Sequence, residues 1–300
     1  MPTPRGGGLA IAVAATLGFS VLAMFGVLDL RSFMALLGGI AVAIVGFLDD
    51  GHQVSVKVRL SVHLLSALWA LSWLRGLPPL QIGEELIDPG YAGYALGAVG
   101  IVWALNLFNF MDGVDGIAAS EAVFVAVAAA WILTGDKESA WSSASVVFGA
   151  ACGGFLLWNW PPARIFMGDV GSGYLGFAIA VLAIMATRDN PVALFVWLIA
   201  GAVFFVDATV TLVRRFVRGE RVYEAHRSHA YQWLSRRWGS HLRVVMAVLF
   251  VNIGWLLPCA WVAARHPSIA AWMVLVAFGP VLIAAMIAGA GLKEVRAGAD

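Results

Sequence analysis

Charged side chains are scarce in this chain. Asp, Glu, Lys and Arg make up 12% of its 300 residues, about half the share found in an average soluble domain. Hydrophobic residues make up 61% and the mean hydropathy is +0.86. That apolar surplus exceeds what one soluble core can hide, so most of the surrounding solvent is lipid. The shortage of charge excludes a cytosolic enzyme and a disordered chain. The shortage of cysteine excludes a secreted disulfide scaffold: there are only two, Cys152 and Cys259, both in apolar runs, where they read as small core residues. A net charge of +1 gives no footprint for nucleic acid. Internal repeats and low-complexity tracts are missing as well. What is plentiful is tryptophan, thirteen residues, as suits a protein with aromatic belts at two membrane interfaces.

A spanning helix needs about 20 mainly apolar residues. Ten stretches qualify: 9–28, 32–48, 60–77, 91–110, 117–134, 142–160, 171–187, 191–213, 243–263 and 270–290. The expected fold is therefore all-α and polytopic, with about ten transmembrane helices in one integral membrane domain covering 1–300. The one long polar stretch, 214–242, is a basic loop within it. With the spans alternating, 14 of the Lys and Arg residues fall on the side of the N-terminus and 5 on the other. The positive-inside rule makes the richer side cytoplasmic and puts both termini there. Residues 9–28 are too long for a signal-peptide core and run straight into another span, so they read as a retained helix. The chain opens abruptly on Pro2-Thr-Pro-Arg-Gly-Gly-Gly8, and so short a lead into a motif predicts a missing upstream segment.

Five polar motifs interrupt the apolar pattern. Phe47-Leu-Asp-Asp50 closes the second stretch; its adjacent carboxylates suit a solvated helix end or a metal or base site at the membrane surface. In Asn106-Leu-Phe-Asn-Phe-Met-Asp-Gly-Val-Asp-Gly116, Asn106 and Asn109 share a helix face, and Asp112 and Asp115 repeat the spacing. Four hard oxygen-bearing side chains in ten residues suit Mg²⁺ or a nucleotide; the plainer alternative is a capped interhelical loop. Arg164-Ile-Phe-Met-Gly-Asp-Val-Gly-Ser-Gly173 puts Asp169 at a helix start, either as a cap or as holder of a cation that accompanies a phosphate. In the basic loop, His226-Arg-Ser-His229 lacks the further ligands of a zinc site and reads as donors aimed at a pyrophosphate. Arg5, before three glycines, supplies phosphate recognition. Asp207 stands apart inside the apolar run 191–213, either functional or paired with Arg214 or Arg215.

Hydropathy and basic charge alone place all five motifs on one membrane face, which scattered helix caps would not do. Carboxylates and amides for Mg²⁺, cationic donors for phosphates and an adjoining lipid phase together describe phosphoryl transfer between a soluble nucleotide and a lipid phosphate.

The motifs PTPRGGG at 2–8, FLDD at 47–50, NLFNFMDGVDGIA at 106–118, RIFMGDVGSGYLG at 164–176 and HRSHAYQ at 226–232 resemble, in order and across essentially the whole chain, the polyprenyl-phosphate sugar-1-phosphate transferase superfamily. The resemblance implies transfer of an N-acetylhexosamine 1-phosphate from a UDP-N-acetyl sugar to undecaprenyl phosphate, with release of UMP. It implies Mg²⁺, with Mn²⁺ as substitute, and a bacterial inner membrane. By motif, Asn109 and Asp169 are the expected metal ligands. Asp49 is the expected base or lipid-phosphate positioner, with Asp50 beside it, and Asp169 is catalytic through the metal. Asp112 and Asp115 contact the nucleotide or shape its pocket, and Asn106 is a further expected substrate-binding residue. His226, Arg227 and His229 bind pyrophosphate, and Arg5 sits near the phosphates. A homodimer is the assembly the resemblance suggests. The sequence departs from the family twice. Family members usually carry a span before the Pro-Arg-Gly-Gly loop. His-Arg-Ser-His also replaces the three-histidine run of the muropeptide branch, which points to the O-antigen and polysaccharide-initiating branch. Two other classes compete. A secondary transporter would line a path with Asp207, Asn106 and Asn109, although transporters gather polar groups near the midplane. The other is an inactive membrane scaffold lacking the first helix.

Overall fold

The computed structural model describes residues 3–134, 139–221 and 226–293. Lys137 and Arg296 of the orientation count, and 222–225 of the basic loop, lie outside the described residues. Each of the ten apolar stretches is helical: α1 (Gly8–Met24), α2 (Leu30–Gly51), α3 (Val56–Leu74), α4 (Ala92–Met111), α5 (Ile117–Thr134), α6 (Ala140–Asn159), α7 (Asp169–Asp189), the consecutive α8 (Ala193–Ala200) and α9 (Ala202–Val217), then α11 (His241–Val251) with α12 (Leu257–Arg265), and α13 (Ala270–Ala288). Between α9 and α11 lies the short α10 (Ala230–Trp238). A two-stranded antiparallel hairpin, β1 (Leu80–Ile82) with β2 (Glu85–Ile87), pairs Leu80 with Ile87 in the loop between α3 and α4.

Seven of these helices are long and apolar enough to cross a membrane, and the α8–α9 pair makes an eighth if its 71° bend is taken within one span. Of the rest, α1 is short at 17 residues, and α3 carries Lys57, Arg59 and His63 in its first half. The protein is an all-α, polytopic membrane protein. The expected span at 191–213 is broken because Gly201 ends α8 and starts α9. Two spans that look short in the sequence are longer in the structure. Asp29 caps α2 by accepting from the Ser32 N–H at 2.9 Å, and the helix runs on to include Asp49 and Asp50. The start of α7 moves back to Asp169.

The central helix is α7, buried almost from end to end. Small residues let its neighbours approach closely, as they do in membrane bundles generally. Where α1 crosses it, Gly8 faces Gly171 so tightly that a Cβ on either would collide with the other's Cα. Both cysteines are buried and unpaired. The span from His241 to Arg265 contains one wide π-helical turn, Asn252–Leu256. In its first residue, Asn252 donates from Nδ2 to Glu121 Oε2 of α5 at 2.6 Å, both residues being fully buried.

Candidate functional site

A cavity of about 530 Å³ opens at one end of the bundle. Its wall takes Arg5 from the N-terminal loop and Asp50 from the end of α2. Asn109 comes from the last turn of α4, Asp112 and Asp115 from the connection between α4 and α5, Asp169 from the start of α7, and Arg227 from the segment before α10. Every one of the five motifs contributes to it.

The start of α7 organises this wall. A helix N-terminus presents unpaired backbone N–H groups and a partial positive charge. Here the Asp50 carboxylate answers them from another helix, accepting from Asp169 N at 2.9 Å and Val170 N at 3.2 Å. Gly168 has φ +76°, a backbone that side chains rarely adopt, and a Cβ there would run into the Asp50 carboxylate. The N-terminal loop is laid across the same turn: Gly7 N and Gly8 N donate to Phe166 O and Met167 O at 3.0 and 2.9 Å, and Phe166 N donates to Pro4 O at 2.8 Å. The glycines in this loop serve close packing on the protein's own backbone, and Arg5 is left facing the cavity.

Asp49 turns the other way. Its carboxylate accepts from Val54 N at 2.7 Å and pairs with Arg59, whose Nη1 also lies 3.2 Å from Asp169 Oδ2. Arg59 thus ties the first turn of α3 to both acids. On α4, Asn109 Nδ2 donates to Ser172 Oγ at 3.3 Å, one turn along α7 from Asp169, and its amide faces the Asp169 carboxylate. Asn106 does not reach the polar cavity. It donates to Val102 O at 2.7 Å and lines a neighbouring, mainly apolar cavity of about 260 Å³, whose wall shares Asn109 and Asp169 with the first.

Burial holds the Asp112 carboxyl well above the usual carboxylate range, and the nearby Asp169, Asp50 and Asp115 push it further, with Arg5 acting in the opposite sense. Asp115 accepts from Ala163 N at 3.1 Å and lies 3.1 Å from His241 Nδ1 at the start of α11. The turn after it is fixed by Asn159, which accepts from Gly116 N at 2.8 Å and donates to Ile165 O at 2.9 Å.

Of the three expected pyrophosphate donors, Arg227 alone lines the cavity. The difference has a physical cause. His229 immediately precedes α10 and is drawn into the interior, 1% exposed, with Nδ1 3.5 Å from Asp207 Oδ1. His226 packs its ring 4.8 Å from that of His229, and its Nδ1 lies 3.0 Å from Ser228 Oγ. Burial, and then the neighbouring His229 and Arg215, lower its pKa to about 4, so it is uncharged near neutrality. In their place α10 offers Gln232, Ser235 and Arg236. Asp207 pairs with neither Arg214 nor Arg215. Arg214 donates to Ala290 O at 2.6 Å, and Arg215 pairs with Glu220 at 3.3 Å.

Sequence reasoning missed Arg59, Asn159, Gln232 and His241. Arg59 entered only as one charge of an orientation count. Its one available signal was a cation set among apolar residues in the first turn of α3, on the same face as the acids. As to metals, no group of three or more His, Cys, Asp or Glu among the described residues is arranged to hold an ion. The Asn109 amide and the Asp169 carboxylate face each other on the wall shared by both cavities.

A family model described as "Glycosyl transferase family 4" matches residues 32–187. Among similar proteins is the probable undecaprenyl-phosphate N-acetylglucosaminyl 1-phosphate transferase of Bacillus subtilis (strain 168), 30% identical over 83% of this chain and 70% of that protein. The phospho-N-acetylmuramoyl-pentapeptide-transferase of Halalkalibacterium halodurans is 32% identical over 85% of this chain and 81% of its own length. The decaprenyl-phosphate N-acetylglucosaminephosphotransferase of Mycobacterium leprae is 28% identical over 84% and 71%.

Proposed function

Because this chain belongs to glycosyl transferase family 4, among the polyprenyl-phosphate hexosamine-1-phosphate transferases, we propose that it moves an N-acetylhexosamine 1-phosphate from a UDP-sugar onto undecaprenyl phosphate and so starts a lipid-linked polysaccharide. An oxygen of the lipid phosphate attacks the phosphorus that bears the sugar. A new P–O–P link forms, the bond to the uridylyl phosphate breaks, and UMP leaves with the electron pair. A phosphate monoester is largely dianionic near neutrality, with a second pKa of about 6, so the attacking oxygen needs no strong base. What it needs is alignment and neutralisation of charge.

The observation that carries this reading is the convergence of five separated motifs on one cavity. Arg5 and Arg227 are placed to receive phosphate oxygens. Asp112 and Asp115 shape the nucleotide end. The apolar cavity behind Asn109 and Asp169 offers room for the first isoprene units beside the reacting phosphate. The polar groups gather at one end of the bundle, which favours surface chemistry over a transport path.

The donor set fits Mg²⁺. This ion commonly takes one or two carboxylates and completes its shell with water and substrate phosphates. Asp169 with the Asn109 amide oxygen would supply such a partial shell, with Asp50, Asp112 and Asp115 on the same cavity wall. Bound there, Mg²⁺, or Mn²⁺ in its place, would neutralise charge on the diphosphate. The excess of Lys and Arg on one side supports a bacterial inner membrane with the cavity and both termini on the cytoplasmic side. His-Arg-Ser-His favours the O-antigen type of product, and a homodimer is the proposed assembly.

The test is UMP release from a panel of radiolabelled UDP-N-acetyl sugars. The expected result is release that requires added undecaprenyl phosphate, stops with EDTA and returns with Mg²⁺, with label in the extracted lipid. No release from any donor by well-folded protein overturns the reading in favour of an inactive scaffold.

A further inference from the structure

Asp207 lies in α9, 3% exposed, and is not part of the cavity wall, yet it holds the segment that supplies Arg227. Its Oδ1 accepts from Ala230 N at 2.8 Å and its Oδ2 from Tyr231 N at 3.0 Å, the first two N–H groups of α10. Thr211 Oγ1 sits 3.2 Å from Oδ1 and steadies the carboxylate from one turn along α9. A buried carboxylate that takes two backbone N–H groups at a helix start is a strong, charge-assisted anchor. Tyr231, pinned in this way, sends its hydroxyl to Phe110 O at 2.9 Å, next to Asn109. On the upstream side, Ser228 O accepts from Gly291 N at 2.7 Å. Arg227 is thus followed directly by two fixed points, one of them Asp207, and its own carbonyl accepts from Arg236 Nη2 at 2.8 Å.

We propose that Asp207 is a positioning residue that sets where Arg227 stands in the cavity, and through it how tightly a diphosphate is gripped. The kinetic arm rests on the transferase reading above; the structural arm does not. Asp207→Asn keeps the size of the side chain but turns one acceptor into a donor facing an N–H. The expected effect is a rise of about 10-fold in KM for the UDP-sugar with a smaller change in kcat, and a similar rise in Arg227→Gln. Because Asp207 acts through Arg227, the double variant should match Arg227→Gln to within about twofold. Multiplicative effects, about 100-fold together, would overturn the proposal.

Ala230→Pro gives a second handle that leaves the buried acid intact. It removes only one of the two N–H groups, at a helix position where proline is accepted, after a residue already in the extended conformation that proline requires. A KM rise of about threefold, again absent in the Arg227→Gln background, is expected; additivity there counts against Asp207. The structural arm needs no activity. Both native cysteines are buried, so spin labels at Gln53→Cys, exposed in the loop between α2 and α3 three residues after Asp50, and at Arg227→Cys report the distance between that loop and the segment before α10. Asp207→Asn should broaden that distribution. An unchanged distribution refutes the positioning role, whereas an inactive wild type with the broadening present refutes the transferase reading alone.

Discussion

Asp207 and Glu121 lie inside the bundle, 3% and 0% exposed, and each has a donor from another helix within hydrogen-bonding reach. Asp50, Asp112, Asp115 and Asp169 line the cavity at its end, where the nearby acids raise one another's cost of ionisation at Asp112. Partial matching also separates members of the second group. Asp50 is spent on the backbone of α7, whereas Asp169 shares a guanidinium with Asp49 and otherwise meets the Asn109 amide. An acid whose donors are all protein serves the fold, while an acid short of donors at a cavity wall waits for a ligand.

The comparison breaks most visibly at Asp169. Asp169→Asn should lower turnover by at least about 100-fold while leaving helix content and melting temperature near those of the parent; near-normal turnover would place Asp169 with the structural acids. Asp50→Ala should do some of both. Loss of the cross-helix cap costs about 1–2 kcal/mol in a melt, and turnover falls about 10-fold as the start of α7 shifts; a stability loss with intact kinetics would detach Asp50 from the site. Glu121 sharpens the other side. Glu121→Leu strands the Asn252 amide inside the membrane and should cost about 1 kcal/mol with the KM for the sugar nucleotide unchanged. Glu121→Gln, which supplies a donor to the otherwise unpartnered Asn252 Oδ1, should be close to neutral in unfolding experiments.

The smallest effect concerns pH. The His226 pKa is lowered from about 6.5 to about 4 in the folded protein, so the unfolded chain binds more protons between those values. The contribution is intact above about 6.5 and declines as pH falls through the window. His229 and Arg215 oppose protonation there, while Glu220 and Asp207 favour it. Thermal melts from pH 7 to pH 4.5 should show a slope that His226→Gln flattens; equal slopes would mean that other groups set it.

Much of this arrangement was legible in the sequence because membrane burial makes polar residues conspicuous. The ten apolar stretches locate the helices, and of the polar residues that interrupt or bound them Arg5, Asp50, Asn109, Asp112, Asp115 and Asp169 meet at the cavity. The failures share a cause. Whether His226, Arg227 or His229 faces a ligand depends on Asp207, 20 residues upstream, which captures the start of α10 and takes His229 inside with it. Arg59 reaches Asp49 and Asp169 across three helices, and no spacing within a single helix announces such a contact. Asn106 and Asn109 lie on one helix face and both line the apolar cavity, yet only Asn109, which reaches Ser172 of α7, also lines the polar one.

The wide turn at Asn252–Leu256 absorbs an extra residue locally, so the segments before and after it keep their orientations despite the added length. It works as slack in an otherwise taut rod. Deleting the exposed Gly254 would let the backbone close into regular winding, with Cys259 and Ala260 still packed inward, whereas the same deletion in α7 would rotate every downstream side chain by about 100°. Length changes in this protein should therefore be tolerated at that one joint, and the membrane thickness it is built to cross can be tuned there without disturbing the end where the chemistry is done.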